Sequence, residues 1–315
     1  MTNSSKVLFS SMAAEAAHNG AQRYAPRMRK TLQPLPLHTE SRAEAVWWRY
    51  GSWLTGATLV LCALAMCLPR MQLPAGYHDF ADQVAWGVLP YARDVLTNLA
   101  FAIAGWVLLW QGMQYSRNMQ DDAARHRLVP AVQAAAWGLV LTALCSGIYH
   151  LRPDAAGLAI DRIGMSAAFA GVVGLLVADR LATVRVVPAM AAALLLGVAC
   201  VMSDFLSGNM TPWVIFQAGV SGLMLLAPWV TRRQGERDGL QQPVLGIAWW
   251  QVLVFYALAK LCEMGDQALW QWTGAIISGH SLKHIVAAAA VWPVVRALQG
   301  TKHRDGTQRA QEKSA

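Results

Sequence analysis

The sequence predicts an all-α protein, a polytopic bundle of transmembrane helices. Hydrophobic residues make up 55% of its 315 residues and charged residues only 14%, whereas a soluble domain carries about 25% charge. A helix needs roughly 20 apolar residues to cross the hydrocarbon core of a bilayer. Seven apolar stretches lack Asp, Glu, Lys and Arg, and an eighth contains Lys283 near its start and Arg296 near its end. The stretches are 50–69, 95–116, 128–149, 163–178, 186–203, 205–231, 239–259 and about 280–298.

Lysine and arginine residues concentrate in alternate loops, which indicates how these helices are oriented. With the N-terminus in the cytoplasm, twenty of them fall in cytoplasmic segments and five in outer segments, as the positive-inside rule requires. We therefore expect an integral, multi-pass membrane protein with both termini in the cytoplasm. The net charge of +8 then reflects topology, and no nucleic-acid partner is predicted.

The two ends of the chain and its cysteines carry no further signal. Residues 1–46 are polar and contain proline, without the apolar core of a signal peptide. Residues 299–315 form a polar tail, and we expect both ends to be disordered. The five cysteines lie in or beside the predicted spans without CxxC spacing, which indicates small buried residues and not a disulfide or metal framework.

Polar residues recur where the predicted helices reach the outer side of the membrane. In the stretch CSGIYHLRPD, Ser146 and His150 close the third span and share one helical face at i, i+4 spacing. Asp161 opens the fourth predicted span, and His280 and His284, again at i, i+4, open the eighth. The topology brings all five residues to the same side, so they can converge at one depth.

Three histidines from two helices favour a zinc site. Such a site leaves the fourth tetrahedral position for water, which is the catalytic arrangement. Bound zinc lowers the pKa of that water to about 7, and Asp161 could orient the water and accept its proton. The Ser146 hydroxyl could then stabilise a developing oxyanion.

Structural explanations for the same residues stay open at this point. A serine in a membrane helix often bonds its own i−4 carbonyl, and an aspartate at a helix start is often a cap. Lys260, Glu263 and Asp266 could bind a lipid headgroup, although a structural Lys260–Glu263 ion pair at i, i+3 is favoured. Ionisable groups are costly in a membrane and tend to be functional there, so their joint placement favours a site.

The ordered set of motifs resembles the alkaline ceramidases. The matching features are the S-x3-H of Ser146 and His150, an aspartate eleven residues later at Asp161, the terminal HxxxH of His280 and His284, and DVLTNLAFAIAG in the second span. The family belongs to a superfamily that includes adiponectin receptors and hydrolases that remodel GPI-anchor lipids. The resemblance implies a seven-helix ceramidase-like hydrolase domain over 77–298, which leaves 47–70 as one extra N-terminal transmembrane helix.

The resemblance also implies an activity. His150, His280 and His284 would ligate zinc, while Ser146 and Asp161 would assist hydrolysis of the amide bond of a ceramide-like lipid to a fatty acid and a long-chain amine. The animal enzymes also bind calcium, through an acidic, aromatic motif that precedes the first core helix. The stretch YHDFADQVAW, with Asp79 and Asp82, matches that motif in part. The alternatives are a phospholipase-like hydrolase of another lipid amide or ester, and a non-catalytic receptor or metal-stabilised membrane protein.

Overall fold

The architecture of the chain is that of a helical bundle. A computed structural model describes residues 64–65, 67–118, 122–181, 184–238 and 245–300, and every regular element in this part is a helix. After a turn at Ala290 and Val291, the final helix resumes and continues to residue 300. The helices are α1 (Ala92–Thr97), α2 (Leu99–Asn118), α3 (Asp122–Leu151), α4 (Ala155–Arg180), α5 (Val186–Ser207), α6 (Thr211–Asp238), α7 (Trp249–Met264), α8 (Asp266–Trp272) and α9 (Gly279–Ala289).

Within these ranges, five helical segments are long and apolar enough to cross a membrane. They are Ala92–Asn118, Ala124–Leu151, Ala155–Arg180, Val186–Ser207 and Gly279–Gly300. An all-α membrane protein is thereby confirmed, while the count of seven core spans and the orientation of the termini stay predictions. The predictions for 1–46, for most of the extra helix at 47–70 and for 301–315 lie outside the described residues.

Two predicted helix boundaries are wrong. The helix that carries Asp161 begins earlier, at Ala155, because the Asp154 carboxylate caps it by accepting a 2.8 Å hydrogen bond from the Gly157 amide. Asp161 therefore lies about two turns inside α4. The apolar stretch 205–231 is also divided, since α5 ends at Ser207 and Gly208 takes a left-handed conformation with φ of 66°.

Close packing of α3 against α4 fixes the framework of the site. A side chain at Gly171 would collide with the backbone of Ala135, and one at Gly138 would collide with the backbone of Ala167. Nearer the C-terminal end of α3, a Cβ atom at Gly164 would lie 2.8 Å from the Cβ of Cys145. Small residues thus let the two backbones approach closely, as is common between membrane helices. This approach brings Ser146 next to the first turns of α4.

Candidate metal centre

Three histidines meet at one end of the bundle. His150 comes from the last turn of α3, and His280 and His284 come from the first turns of α9. Their relative exposures are 0%, 6% and 1%, and each offers a ring nitrogen within 4.8 Å of the others. In the described part of the chain, this is the one cluster of three or more His, Cys, Asp or Glu residues with the spacing of a metal site.

The spacing of the ring nitrogens suits one ion. Nε2 of His150 and Nε2 of His280 are 3.2 Å apart, and two histidine nitrogens on a tetrahedral zinc ion are separated by about 3.3 Å, given metal–nitrogen distances of about 2.0–2.1 Å. Nε2 of His284 is buried and has no hydrogen-bond partner. A buried nitrogen without a partner is costly unless something binds it, so the three side chains can hold a metal ion.

The hydrogen bonds of Thr97 determine which nitrogen of His284 is free. The Thr97 hydroxyl donates its proton to the Asp94 carbonyl over 3.2 Å, so its oxygen accepts the bond from Nδ1 of His284, 3.0 Å away. The proton of this imidazole is then on Nδ1, and the lone pair is on Nε2. Orientation of a ligating histidine through its second nitrogen is typical of protein metal sites.

Carboxylates hold the first turn of α9 in place. Ser278 caps the helix by accepting the Ser281 amide, and both serine hydroxyls donate to Oδ1 of the buried Asp94, over 3.3 and 2.5 Å. The Asp266 carboxylate accepts the His280 amide over 2.7 Å. A side chain at Gly279 would collide with the backbone of Cys262 and Asp266. The start of the helix that carries both histidines is therefore fixed from two sides.

The segment between Tyr77 and Asp82 lies over the histidines. The ring centroid of Phe80 is 4.8 Å from that of His150 and 4.4 Å from that of His280. Asp82 is fully buried, accepts the Val84 amide at 2.9 Å and forms a 2.9 Å ion pair with Arg93. Both Asp82 carboxylate oxygens therefore have protein partners, and calcium binding near Asp79 and Asp82 stays a prediction.

Ser146 and Asp161 lie beside the histidines on the wall of one cavity. Asp161 is 8% exposed, and the Ser146 hydroxyl lies close to its carboxylate on the same wall. The hydroxyls of Thr142 and Ser166, by contrast, bond their own i−4 carbonyls at 2.8 Å. Thr142 and Ser166 therefore form the i−4 hydrogen bond that was considered for Ser146. The Ser146 hydroxyl instead faces the Asp161 carboxylate.

The cavity has one polar end and a long apolar remainder. The empty space between its lining residues, together with adjoining space open to the surroundings, is about 1430 Å³. The polar end has Ser146, Asp161, His280 and His284, together with three charged residues of α7 and α9. Apolar side chains from six helices line the rest: Leu108, Leu139, Leu175, Met224, Trp249 and Val294. The shape and lining suit a hydrocarbon chain with a polar group at one end.

The charged residues at this end were only partly expected. The predicted Lys260–Glu263 ion pair is present, at 2.7 Å. Lys283 also pairs with Glu263, at 3.1 Å, and its Nζ atom lies 3.0 Å from Nε2 of His280. The interruption of the last apolar stretch by this lysine was the available signal. Nothing in the sequence pointed to Thr97 or Asp94 as partners of α9.

Comparison with known proteins adds no assignment. No protein-family model matches the chain, and no curated protein matches it by sequence. The resemblance to alkaline ceramidases therefore depends on the motifs and on the site that they form.

Proposed function

We propose that this protein is a zinc-dependent intramembrane hydrolase that cleaves the amide bond of ceramide-like lipids to a fatty acid and a long-chain amine. The observation that carries the proposal is the position of the three histidines. His280 and His284 line the polar end of an apolar cavity whose wall also presents Ser146 and Asp161, and His150 adjoins these two histidines. A metal-dependent hydrolase of long-chain lipids needs this combination of an apolar chain site, a Lewis acid and a nearby base.

The donor set suits zinc, since three imidazoles are ligands of catalytic zinc sites that keep one position open. When bound, zinc would supply Lewis acidity toward the carbonyl group and toward water. Substrate binding and the exclusion of water depend on the residues of the protein. The apolar wall would hold the acyl chain, and Phe80 and the helices around the histidines would limit the access of bulk water.

Asp161 is the proposed general base. Its carboxylate would accept a proton from the attacking water and later return it to the leaving amine. Ser146 has one hydroxyl proton, so it cannot donate to Asp161 and to an oxyanion at the same time. Once Asp161 is protonated, it can itself donate to the Ser146 oxygen. The serine proton is then released to the oxyanion at the stage when negative charge develops there.

The first experiment combines turnover with metal content. Purified protein should hydrolyse a fluorescent ceramide, lose activity and zinc together on chelation, and regain both when zinc is restored. A phospholipid of equal chain length, tested in parallel, distinguishes an amidase from a phospholipase-like hydrolase. Stoichiometric zinc without turnover of any lipid amide or ester would support the receptor or structural alternative. Folded protein that binds no metal would contradict the mechanism.

A further inference from the structure

The position of Lys283 between the histidines and Glu263 is not explained by hydrolysis of a neutral lipid. The side chain lines the cavity and is 18% exposed, and it lies one residue before His284. A charged group in a membrane protein is costly unless it has a function or a partner. Glu263 supplies one partner, at 3.1 Å, but it is shared.

Glu263 serves two lysines. Its Oε2 atom accepts from Lys260 at 2.7 Å and its Oε1 atom accepts from Lys283 at 3.1 Å. An ammonium group has three N–H donors. Lys283 uses one on Glu263 and a second on Nε2 of His280, 3.0 Å away, which leaves at least one donor at the cavity wall.

Metal binding would free another of these donors. An imidazole nitrogen has a single lone pair, so a metal ligated by Nε2 of His280 would take the lone pair that Lys283 now uses. Two N–H groups of Lys283 would then be bonded neither to Glu263 nor to His280. Unpaired donors of a charged group at a largely apolar wall favour a ligand that brings acceptor oxygens.

The charge of the cavity favours an anion. Arg162, one of the five charged residues on the wall, is ion-paired with the buried Asp204. The other four are two cations and two carboxylates: Lys260, Lys283, Asp161 and Glu263. A divalent ion at the histidines adds two positive charges that the wall residues do not balance. The Asp94 and Asp266 carboxylates, which accept hydrogen bonds from the first turn of α9, are not among the wall residues. A ligand with negative charge would reduce this surplus.

We propose that Lys283 is a specificity-determining residue that binds an anionic group, a carboxylate or a phosphate, attached close to the scissile amide of the substrate. This inference rests on the proposed hydrolase function and narrows its substrate class. The lipid would have an acyl chain in the apolar part of the cavity. Its headgroup would have acid oxygens that accept hydrogen bonds from Lys283.

Three amides with the same acyl chain and short spacers provide the test: N-palmitoylethanolamine, N-palmitoylglycine and the phosphate ester of N-palmitoylethanolamine. Their terminal groups are a hydroxyl, a carboxylate and a phosphate. Dissociation constants would be measured by competition against radiolabelled N-palmitoylglycine, with protein in phosphatidylcholine nanodiscs. Each measurement is made on metal-loaded and on metal-stripped protein, because the metal itself also attracts an anion.

We expect at least one anionic amide to bind about tenfold more tightly than the hydroxyl amide, even without metal, as a charge-assisted hydrogen bond would provide. Comparison of the two anionic amides identifies the acid group. Lys283→Met should reduce the preference to less than about threefold, and Lys283→Arg should keep most of it. Lys260→Met is the matched control, since Lys260 bonds the same glutamate from a more exposed position, 42% against 18%.

Equal binding of all three amides by the wild-type protein would overturn the proposal, and this result does not depend on any variant folding. An equal loss of preference in Lys260→Met would also overturn it, because the effect would then be general charge. Hydrolysis rates distinguish a failure of the Lys283 proposal from a failure of the proposed hydrolase function. Anion preference without turnover of any amide contradicts only the hydrolase, whereas turnover without anion preference contradicts only the role of Lys283.

Discussion

The Thr97 hydroxyl oxygen lies 3.0 Å from Nδ1 of His284, although 187 residues separate the two in sequence. Thr97 is the last residue of α1 and His284 lies in the second turn of α9. The contact joins α1 to α9 at the candidate metal centre. It also fixes the imidazole so that Nε2 faces the other two histidines.

Removal of the Thr97 hydroxyl should weaken metal binding without removal of a ligand. Thr97→Val keeps the shape of the side chain but deletes the acceptor of the Nδ1 proton. Because such supporting contacts affect metal affinity about 10- to 100-fold, we expect the zinc dissociation constant to rise by that factor in competition with a chromophoric chelator. Thr97→Ser retains the hydroxyl and should stay within a few-fold of wild type. Equal affinities in all three proteins would contradict this role.

Loss of one histidine should abolish stoichiometric zinc binding. His150→Ala removes one of three nitrogens, and we expect the zinc content of purified protein to fall from about one ion per chain to near zero. His78→Ala is the control. Nδ1 of His78 bonds the Tyr149 hydroxyl at 2.8 Å, and His78 lies outside the cluster, so its variant should keep zinc. Retention of zinc by His150→Ala would show that the ion binds elsewhere.

Asp161 should affect turnover and leave the metal in place. Asp161→Asn keeps the shape but cannot accept a proton, and general-base contributions are about 10²- to 10⁴-fold. We expect kcat for the amide substrate to fall by about that factor at unchanged zinc content. Asp154→Asn is the control. Asn caps a helix about as well as Asp, so this variant should hydrolyse the substrate at a rate near that of wild type. Full activity in Asp161→Asn would require another base.

The contact of Gly171 with Ala135 predicts a stability effect remote from the chemistry. Gly171→Val would push α3 and α4 apart at the backbone, and overpacking of this kind costs about 1–3 kcal/mol or more. Thermal unfolding in nanodiscs should therefore show a lower midpoint. Gly222→Ala provides the comparison, since a Cβ atom there meets nothing within 4 Å and should change the midpoint little. Similar midpoints in both variants would show that the α3–α4 contact is adaptable.

The sequence predicted the helical class and the five residues that meet around the cavity, because i, i+4 spacing and loop charge are local properties. It did not predict where α4 begins, since an apolar run cannot reveal that Asp154 is the cap. The Lys260–Glu263 ion pair was also predictable, because the two residues are three positions apart on one helix. The sequence could not predict the contacts of Thr97 and Asp94 with α9, or that of Lys283 with Glu263. Each of these contacts forms only when separate helices pack together.

The apolar lining of the cavity has a practical consequence for biochemistry. The alkyl tail of a common detergent is chemically an acyl chain without its carbonyl, and the walls around Leu108, Leu175 and Val294 offer nothing that would exclude it. A straight-chain detergent is therefore itself a competing ligand of this protein. Assays in such a detergent would report weak lipid affinity at high micelle concentration, and a sterol-based detergent or a nanodisc should restore it.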